Sequence, residues 1–194
     1  MLHPTDLAAR LRAALDPEPD VVAPAGDRLA GVLALLVGAP DPDLILTVRA
    51  GSLSRHAGEV SFPGGLLEPG ETPAEAALRE THEELGLDPC LPEILGALRP
   101  VHTHVSGILV VPFVGTLPAL PALRVSEGEI SAVLSAPVRR LASTEAPMRL
   151  ERGDGTVWHG WRYDVEGHTV WGATGGMVHE LLELIRKEAP WVTA

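Results

Sequence analysis

Apolar residues along this chain recur at two spacings, and the alternation between them predicts the order of helices and strands. Leu7, Leu11 and Leu15 lie at the spacing of a helix that buries one face. Short apolar runs bounded by Gly, Pro or Asp are typical of buried strands. The predicted elements are a helix at 5–15, strands at 30–37, 44–49, 94–99 and 108–116, a hairpin formed by 149–151 and 156–165 around a turn at 152–155, and a helix at 176–187. Strands mixed with helices predict a layered mixed α/β sheet with helices on both faces.

One further helix has clear signals at both of its ends. Thr72-Pro73 is typical of an N-cap followed by the first helical residue, and Gly86 is typical of the residue that follows a helix. The intervening segment Ala74–Leu85 is rich in Ala, Leu and Glu, which are strong helix formers. The Gly- and Pro-rich segment 63–70 predicts a tightly turning loop whose backbone can approach a ligand closely.

This helix carries three carboxylates on one face. Glu80, Glu83 and Glu84 follow the i, i+3, i+4 spacing that brings side chains together. Neighbouring carboxylates repel one another, and their hard oxygen atoms suit Mg²⁺ or Mn²⁺. Arg79 precedes the cluster and could orient a carboxylate through a bidentate pair. Glu-rich helices are more often simply solvated, so the cluster by itself leaves both interpretations open.

The stretch from Gly65 to Leu87 resembles the Nudix box, G-x5-E-x7-R-E-U-x-E-E-x-G-U, in which U is a bulky apolar residue. Thr81 stands at one U position, and Leu87 at the other. All the fixed positions of the pattern are present, namely Gly65, Glu71, Arg79, Glu80, Glu83, Glu84 and Gly86. The spacing of so many fixed residues favours a metal site over a solvated acidic face.

The resemblance implies an α/β/α Nudix sandwich and the hydrolysis of a nucleoside diphosphate linked to another moiety. Water attacks one phosphorus of the pyrophosphate, and Mg²⁺ or Mn²⁺ bridges its oxygens. Glu80 and Glu84 would be the principal metal ligands, and Glu83 a further one. The carbonyl of Gly64 would complete the site. Box residues Arg79 and Glu71 would hold the loop and the helix in register.

The segment 45–65 is similar to the stretch that marks the coenzyme A pyrophosphatase branch of this family. That branch cleaves coenzyme A to 3′,5′-ADP and 4′-phosphopantetheine. It usually has Arg two residues before its His, whereas this chain has Ser54 there and Arg55 one place later. The contact of that Arg is therefore either absent or supplied by Arg55. The residues that the resemblance implies for substrate binding are Arg49, Arg55, His56 and Phe62.

Further candidates follow the box. The segment 126–141 resembles a stretch of the same branch, and Glu129 falls where relatives place a loop glutamate that binds metal or activates water. A loop glutamate without a role is an equal alternative, and Glu127 is the reserve candidate. His102 and His104 are close to the box, but a polar pair without a ligand is the more common use of such residues. The four Trp residues all follow residue 157, where they could stack on adenine or pack in the core.

Composition limits the classes of function. The 194 residues, 45% of them hydrophobic, support one domain over 1–194, with 1–28 as an N-terminal extension. A net charge of −11 without a basic run argues against nucleic-acid or acidic-membrane partners, and the partner expected is a small molecule.

No signal peptide or apolar run of membrane-spanning length is expected. The lone Cys90 fits the cytoplasm and argues against a zinc site. A homodimer is compatible with the sequence.

Two other functions stay open at this point. The first is the same chemistry on ADP-ribose, a dinucleoside polyphosphate or an oxidised nucleotide, because a fold does not decide a substrate. The second is a Nudix domain that binds without catalysis. Such domains usually lose box glutamates, whereas this chain keeps all four. A Nudix isomerase is disfavoured, since Cys90 follows the box helix and does not match the cysteine of those enzymes.

Overall fold

A computed structural model describes residues 6–51, 58–103, 107–151 and 155–193. Its strands are β1 (Arg28–Val37), β2 (Asp43–Arg49), β3 (Val60–Ser61), β4 (Gly64–Leu66), β5 (Glu93–Ala97), β6 (Val101–Thr103), β7 (Ile108–Leu117), β8 (Ile130–Pro137), β9 (Ala146–Glu151), β10 (Val157–Val165) and β11 (His168–Val170). Its helices are α1 (Asp6–Ala14), α2 (Pro73–Leu85), α3 (Val138–Thr144) and α4 (Gly172–Glu188), followed by a 3₁₀ turn at Pro190–Val192. Among the described residues, no helix combines the length and apolarity needed to cross a membrane.

The main sheet is mixed, and two of its central strands diverge. β1 runs parallel to β7 along its full length, but it pairs with β2 only around Leu36–Val37. Beyond that point β4 pairs with β1, and β3 pairs with β2. β8 lies antiparallel to β2, while β5 and β6 lie antiparallel to β7. The gap between β1 and β2 is therefore occupied by the segment 60–66, which carries the glycines that precede the predicted metal site.

Both faces of this sheet are covered, because side chains of successive strand residues point to opposite sides. Leu33 and Leu35 of β1 pack in a cluster with Ala77 and Leu85 of α2. Ala34 and Leu36 belong to a second cluster, which contains apolar residues of α1, α4, β10 and β11. The predicted mixed α/β sheet with helices on both faces is thus confirmed. Helix α1 also joins the core through Leu7 and Leu11, so this part of the predicted N-terminal extension packs against the sheet.

The structure differs from the predicted elements mainly between 126 and 176. Strand β8 and helix α3 occupy a stretch for which no element is predicted, and the short strands β3, β4, β6 and β11 are also additional. Elements of two or three residues are too short to show a periodic pattern, so only their partners reveal them. Helix α4 begins at Gly172, four residues before the predicted start. The hairpin strands are confirmed by the pairing of β9 with β10, and the turn residues 152–154 lie outside the described residues.

A second sheet, in the order β11-β10-β9, lies beside α4. At Gly175 a Cβ atom would lie 2.4 Å from the carbonyl oxygen of Trp161, so the first turns of α4 approach the β10 backbone directly. Trp171, the N-cap of α4, is in extended conformation immediately before the helix. The helix therefore starts at the Trp171-Gly172 step.

Helix α2 approaches β1 closely at Gly31. A Cβ atom there would lie 1.8 Å from the carbonyl oxygen of Pro73, the first residue of α2. We expect Gly31→Ala to lower the free energy of unfolding by about 3 kcal/mol or more, because backbone has to move to relieve the overlap. Gly128→Ala is the matched control, since a Cβ at Gly128 meets no atom within 4 Å. Urea unfolding followed by tryptophan fluorescence measures both, and equal stability of the two variants would contradict the close approach.

Candidate active site

Helix α2 is fixed at both ends by its own sequence. At its start, Thr72 Oγ1 accepts a hydrogen bond from the backbone N–H of Glu75 (3.3 Å), and the Glu75 carboxylate accepts one from the N–H of Thr72 (2.8 Å). At its end, Gly86 has a φ of 68°, a left-handed conformation that favours glycine. Both predicted limits are confirmed. The Glu75 half of this capping box is an additional finding, which the Thr-x-x-Glu spacing signals.

Arg79 ties the helix to the loop that precedes it. Its Nε and one terminal nitrogen donate to the two oxygens of Glu71, at 2.9 and 3.1 Å. Its guanidinium also donates to the carbonyl of Leu66 (3.0 Å) and to the carboxylates of Glu80 (2.9 Å) and Glu83 (3.3 Å). The hydrogen bond to Glu71 is the largest cause that raises the pKa of Arg79, and the same bond lowers the pKa of Glu71. This network keeps the loop, Glu80 and Glu83 in a fixed register.

Glu84 is the buried member of the acidic face, with only 3% of its surface exposed. One carboxylate oxygen accepts a hydrogen bond from the backbone N–H of Gly64 at 3.2 Å. Burial raises the pKa of Glu84 to about 7, and the charges of Glu80 and Glu129 act in the same direction. The Gly64 N–H and the charge of Arg49 oppose this shift. These surroundings destabilise the ionised form of Glu84. A bound cation would stabilise that form.

Two glycines let the loop come this close to the helix. A Cβ at Gly65 would lie 2.4 Å from the carboxyl carbon of Glu80. At Gly64 the backbone has a φ of 144°, and a Cβ would lie 2.4 Å from the carbonyl oxygen of Gly31. A larger side chain at Gly65 would push the loop away from the acidic face, and one at Gly64 would push it away from β1. These two glycines therefore allow the loop to pack against both elements.

Arg49 is the cation whose charge acts on the buried Glu84. It follows the last fully buried residue of β2, and its charge acts on Glu84. Its Nε is buried and has no hydrogen-bond partner within the described ranges. Glu129 lies across from it, since the carbonyl of Glu129 accepts a hydrogen bond from the N–H of Ala50 (2.7 Å). The turn before β8 thus brings Glu129, which is exposed, to the edge of the acidic face.

The donor set suits a hard divalent cation. Carboxylate oxygens are available from Glu80, Glu84 and Glu129, and the charges of Glu80 and Glu129 both act on the buried Glu84. In the described part of the chain, no three Asp, Glu, His or Cys side chains already converge as a finished ion site. Glu80 and Glu83 instead each form an ion pair with Arg79. A cation would therefore compete with Arg79 for these two side chains, and Glu84 would hold it from the buried side.

The other predicted site residues lie in the core, pair elsewhere or fall outside the described residues. Phe62 is 2% exposed and packs in the core, so its ring supports the loop and presents no surface to a ligand. His102 lies against Asp27, with 2.6 Å between Nε2 and a carboxylate oxygen. Asp27 is a partner that sequence spacing does not signal, because 75 residues separate the pair. Arg55, His56 and His104 lie outside the described residues.

Comparisons with known proteins agree with this arrangement. A sequence model described as the NUDIX domain matches residues 27–153. The chain is 40% identical over 159 residues to a protein of Escherichia coli (strain K12) described as the uncharacterized Nudix hydrolase NudL, covering 79% of this chain and 81% of the relative. It is also 40% identical over 165 residues to the protein of that description from Shigella flexneri, with 81% and 83% covered.

Solved structures show the same fold at low sequence identity. The NUDIX domain of Shewanella oneidensis NrtR, solved as a complex with ADP ribose, has a TM-score of 0.53 and is 14% identical, covering 84% of this chain and 88% of that one. The E. coli ORF135 protein has a TM-score of 0.52 and 17% identity, with 87% and 99% covered. RenU, a Nudix hydrolase from M. smegmatis, has a TM-score of 0.52 and 17% identity, with 66% and 81% covered.

The Arg79–Glu71 pair can be tested by a double-mutant cycle on stability. We expect Arg79→Met and Glu71→Gln to couple by about 1–3 kcal/mol, because the bidentate contact is largely shielded, with side-chain exposures of 24% and 13%. The control cycle is Arg12→Met with Glu93→Gln, an ion pair whose exposures are 44% and 64% and whose coupling should stay below about 0.5 kcal/mol. A coupling at Arg79 no larger than that of the control would contradict the structural role of the pair.

Proposed function

This chain belongs to the Nudix hydrolase family, and we propose that it is a metal-dependent pyrophosphohydrolase that cleaves coenzyme A and its derivatives. The products are 3′,5′-ADP and 4′-phosphopantetheine. The observation that carries the proposal is Glu84, a buried carboxylate that accepts the N–H of Gly64 within an acidic face. Burial and the like charges of Glu80 and Glu129 disfavour the ionised form of this carboxylate, and a bound cation would offset both.

Each side chain then has a defined task. Mg²⁺ or Mn²⁺ would be held by Glu80 and Glu84, with Glu83 as a further ligand and the carbonyl of Gly64 completing the site. When bound, the cation neutralises negative charge on the pyrophosphate oxygens. Arg79 keeps the acidic face in register, since it contacts Glu80 and Glu83 and is itself fixed to the loop. A bound cation would compete with Arg79 for Glu80 and Glu83, while the contact of Arg79 with Glu71 would keep the helix on the loop.

Glu129 is our candidate for the general base. It lies at the exposed edge of the face, where water has access, and its charge already acts on Glu84. In the proposed step its carboxylate takes a proton from the water that attacks one phosphorus. The bond from that phosphorus to the bridging oxygen breaks, and each product leaves as a phosphate monoester. Glu129→Gln leaves Glu84 in place, so an unchanged rate would assign the base to a glutamate of α2.

The choice of coenzyme A rests on the segment before the box. Arg49 contributes a buried Nε that lacks a hydrogen-bond partner in the described ranges, which suits an anionic group of the substrate. Arg55 and His56 complete this proposed binding set. We place the reaction in the cytoplasm, where the free thiol of Cys90 stays reduced, and treat the 194 residues as one catalytic domain.

A direct assay decides the substrate. We expect purified protein with Mg²⁺ or Mn²⁺ to convert coenzyme A to 3′,5′-ADP and 4′-phosphopantetheine, identified by mass, and to leave ADP-ribose and a dinucleoside tetraphosphate nearly intact. ADP-ribose belongs in the panel because the structurally similar NrtR domain was solved with it. Cleavage of the other nucleotides alone would keep the hydrolase and discard coenzyme A. No cleavage of any of them would favour a binding domain without catalysis.

The role of Glu84 is tested by Glu84→Gln. We expect turnover to fall by about two orders of magnitude or more, because the amide keeps the shape but loses the charge that holds the cation. The matched control is Glu75→Gln on the same helix, which removes a charged half of the capping box. That variant should lose about 1 kcal/mol of stability with turnover unchanged. Near-normal activity of Glu84→Gln in the same assay would overturn its role as a ligand.

A further inference from the structure

A cavity of about 790 Å³ lies between the two sheets and the first turns of α4. It is lined by Trp158 and Trp161 of β10, by Trp171 and by His179 of α4, and its opposite walls come from β3 and β6. We refer to it as the Trp cavity. Its aromatic walls all follow residue 153, the last residue that the family model matches.

One wall of the Trp cavity is a stacked pair held by a half-buried carboxylate. The rings of Trp161 and His179 lie 4.1 Å apart and within 15° of parallel. His179 Nδ1 lies 2.8 Å from Glu145, which also accepts hydrogen bonds from the Tyr163 hydroxyl (2.6 Å) and from Arg186 (2.8 Å). This fixed network holds the Trp161–His179 stack in place before any ligand arrives.

Glu145 is ionised in this network. Burial would raise the pKa of the Glu145 carboxyl, but the hydrogen bonds from Tyr163, His179 and Arg186 outweigh it and hold the pKa below its usual range. His179 must therefore donate from Nδ1, which leaves Nε2 as the second polar position of the ring. The stacked wall thus combines a flat surface with a hydrogen-bonding edge.

The other aromatic wall is equally constrained. The rings of Trp158 and Trp171 meet edge to face, with their centroids 6.5 Å apart. The Trp158 ring folds over Gly160, where a Cβ would lie 2.0 Å from a ring carbon. Only glycine at that position allows the indole to lie against its own strand, so the sequence Trp-His-Gly-Trp builds this wall.

The Trp cavity adjoins the acidic face through β3. Glu59, which lines the cavity, is the cross-strand neighbour of Arg49, whose N–H donates to the Glu59 carbonyl at 3.0 Å. Arg49 in turn acts on Glu84. A substrate that has its pyrophosphate at the acidic face and extends past β3 would meet the aromatic walls.

We infer that the Trp cavity binds the purine ring of the nucleotide half of the substrate, by stacking on its indole rings. The inference rests on the proposed function for the position of the pyrophosphate. Aromatic surfaces favour a flat heteroaromatic ring over the flexible, saturated pantetheine arm, because stacking needs two planar partners. The volume lies within the usual range for small-molecule sites, and rigid aromatic walls lower the entropic cost of binding.

Gly176 offers a direct test. It lines the cavity from α4, and a Cβ there meets no atom within 4 Å, so a larger side chain enters the open space. Gly176→Leu fills part of the cavity, while Gly176→Ala makes the same helix-favouring change with little added volume. Trp158→Leu removes one indole as an independent variant. Thermal melting checks that each variant is folded before its binding is compared with the unmodified protein.

The probes are the two product halves, titrated separately by calorimetry. We expect Gly176→Leu and Trp158→Leu to weaken binding of 3′,5′-ADP by about tenfold or more, Gly176→Ala to leave it within about twofold, and 4′-phosphopantetheine to bind all four proteins alike. Loss of 4′-phosphopantetheine binding with 3′,5′-ADP unaffected would overturn the inference in favour of the pantetheine arm. Unchanged binding of both halves in folded variants, or no binding of 3′,5′-ADP to the unmodified protein, would also overturn it.

Failure of the inference and failure of the proposed function give different results. If the unmodified protein does not cleave coenzyme A but binds 3′,5′-ADP and AMP, with both weakened by Gly176→Leu, the Trp cavity remains a purine site and the substrate proposal falls. If coenzyme A is cleaved while Gly176→Leu and Trp158→Leu keep the unmodified affinity for 3′,5′-ADP, the substrate proposal stands and the cavity inference falls.

Discussion

Arg79 is the side chain on which the acidic face depends. Its planar fork binds both oxygens of Glu71 while the same guanidinium reaches the Leu66 carbonyl and two glutamates of its own helix. Lysine could not supply this geometry, because its ammonium is a single point of charge. The loop and the helix are thereby held as one unit, although their like charges repel. The buried Glu84 can then lie beside the Gly64 N–H without the helix moving away.

The main sheet places this unit where two strands diverge. β1 and β2 are paired at one end only, so the segment 60–66 can enter between them and present its glycines to α2. Apolar side chains on both faces hold the divergent strands, since α2 covers one face and α1 and α4 cover the other. The site therefore combines a rigid framework with a backbone that is free to approach a ligand.

The second sheet adds a different kind of surface. The acidic face offers oxygen atoms and little apolar area, whereas the Trp cavity offers aromatic rings fixed by the Glu145 network. The two are separated by the short strand β3, and they suit the two chemically different ends of one substrate.

The sequence by itself determined the limits of α2, the long strands other than β8, and the acidic face with its glycines, because these depend on local spacing and on residue types with strong conformational preferences. Only the tertiary structure decided what is buried. It placed Phe62 in the core, paired His102 with Asp27, and joined Glu145 to His179 across 34 residues. It also gathered three of the Trp residues around one cavity. Contacts between residues far apart in the chain leave no periodic signal, since sheet pairing and packing bring them together only after folding.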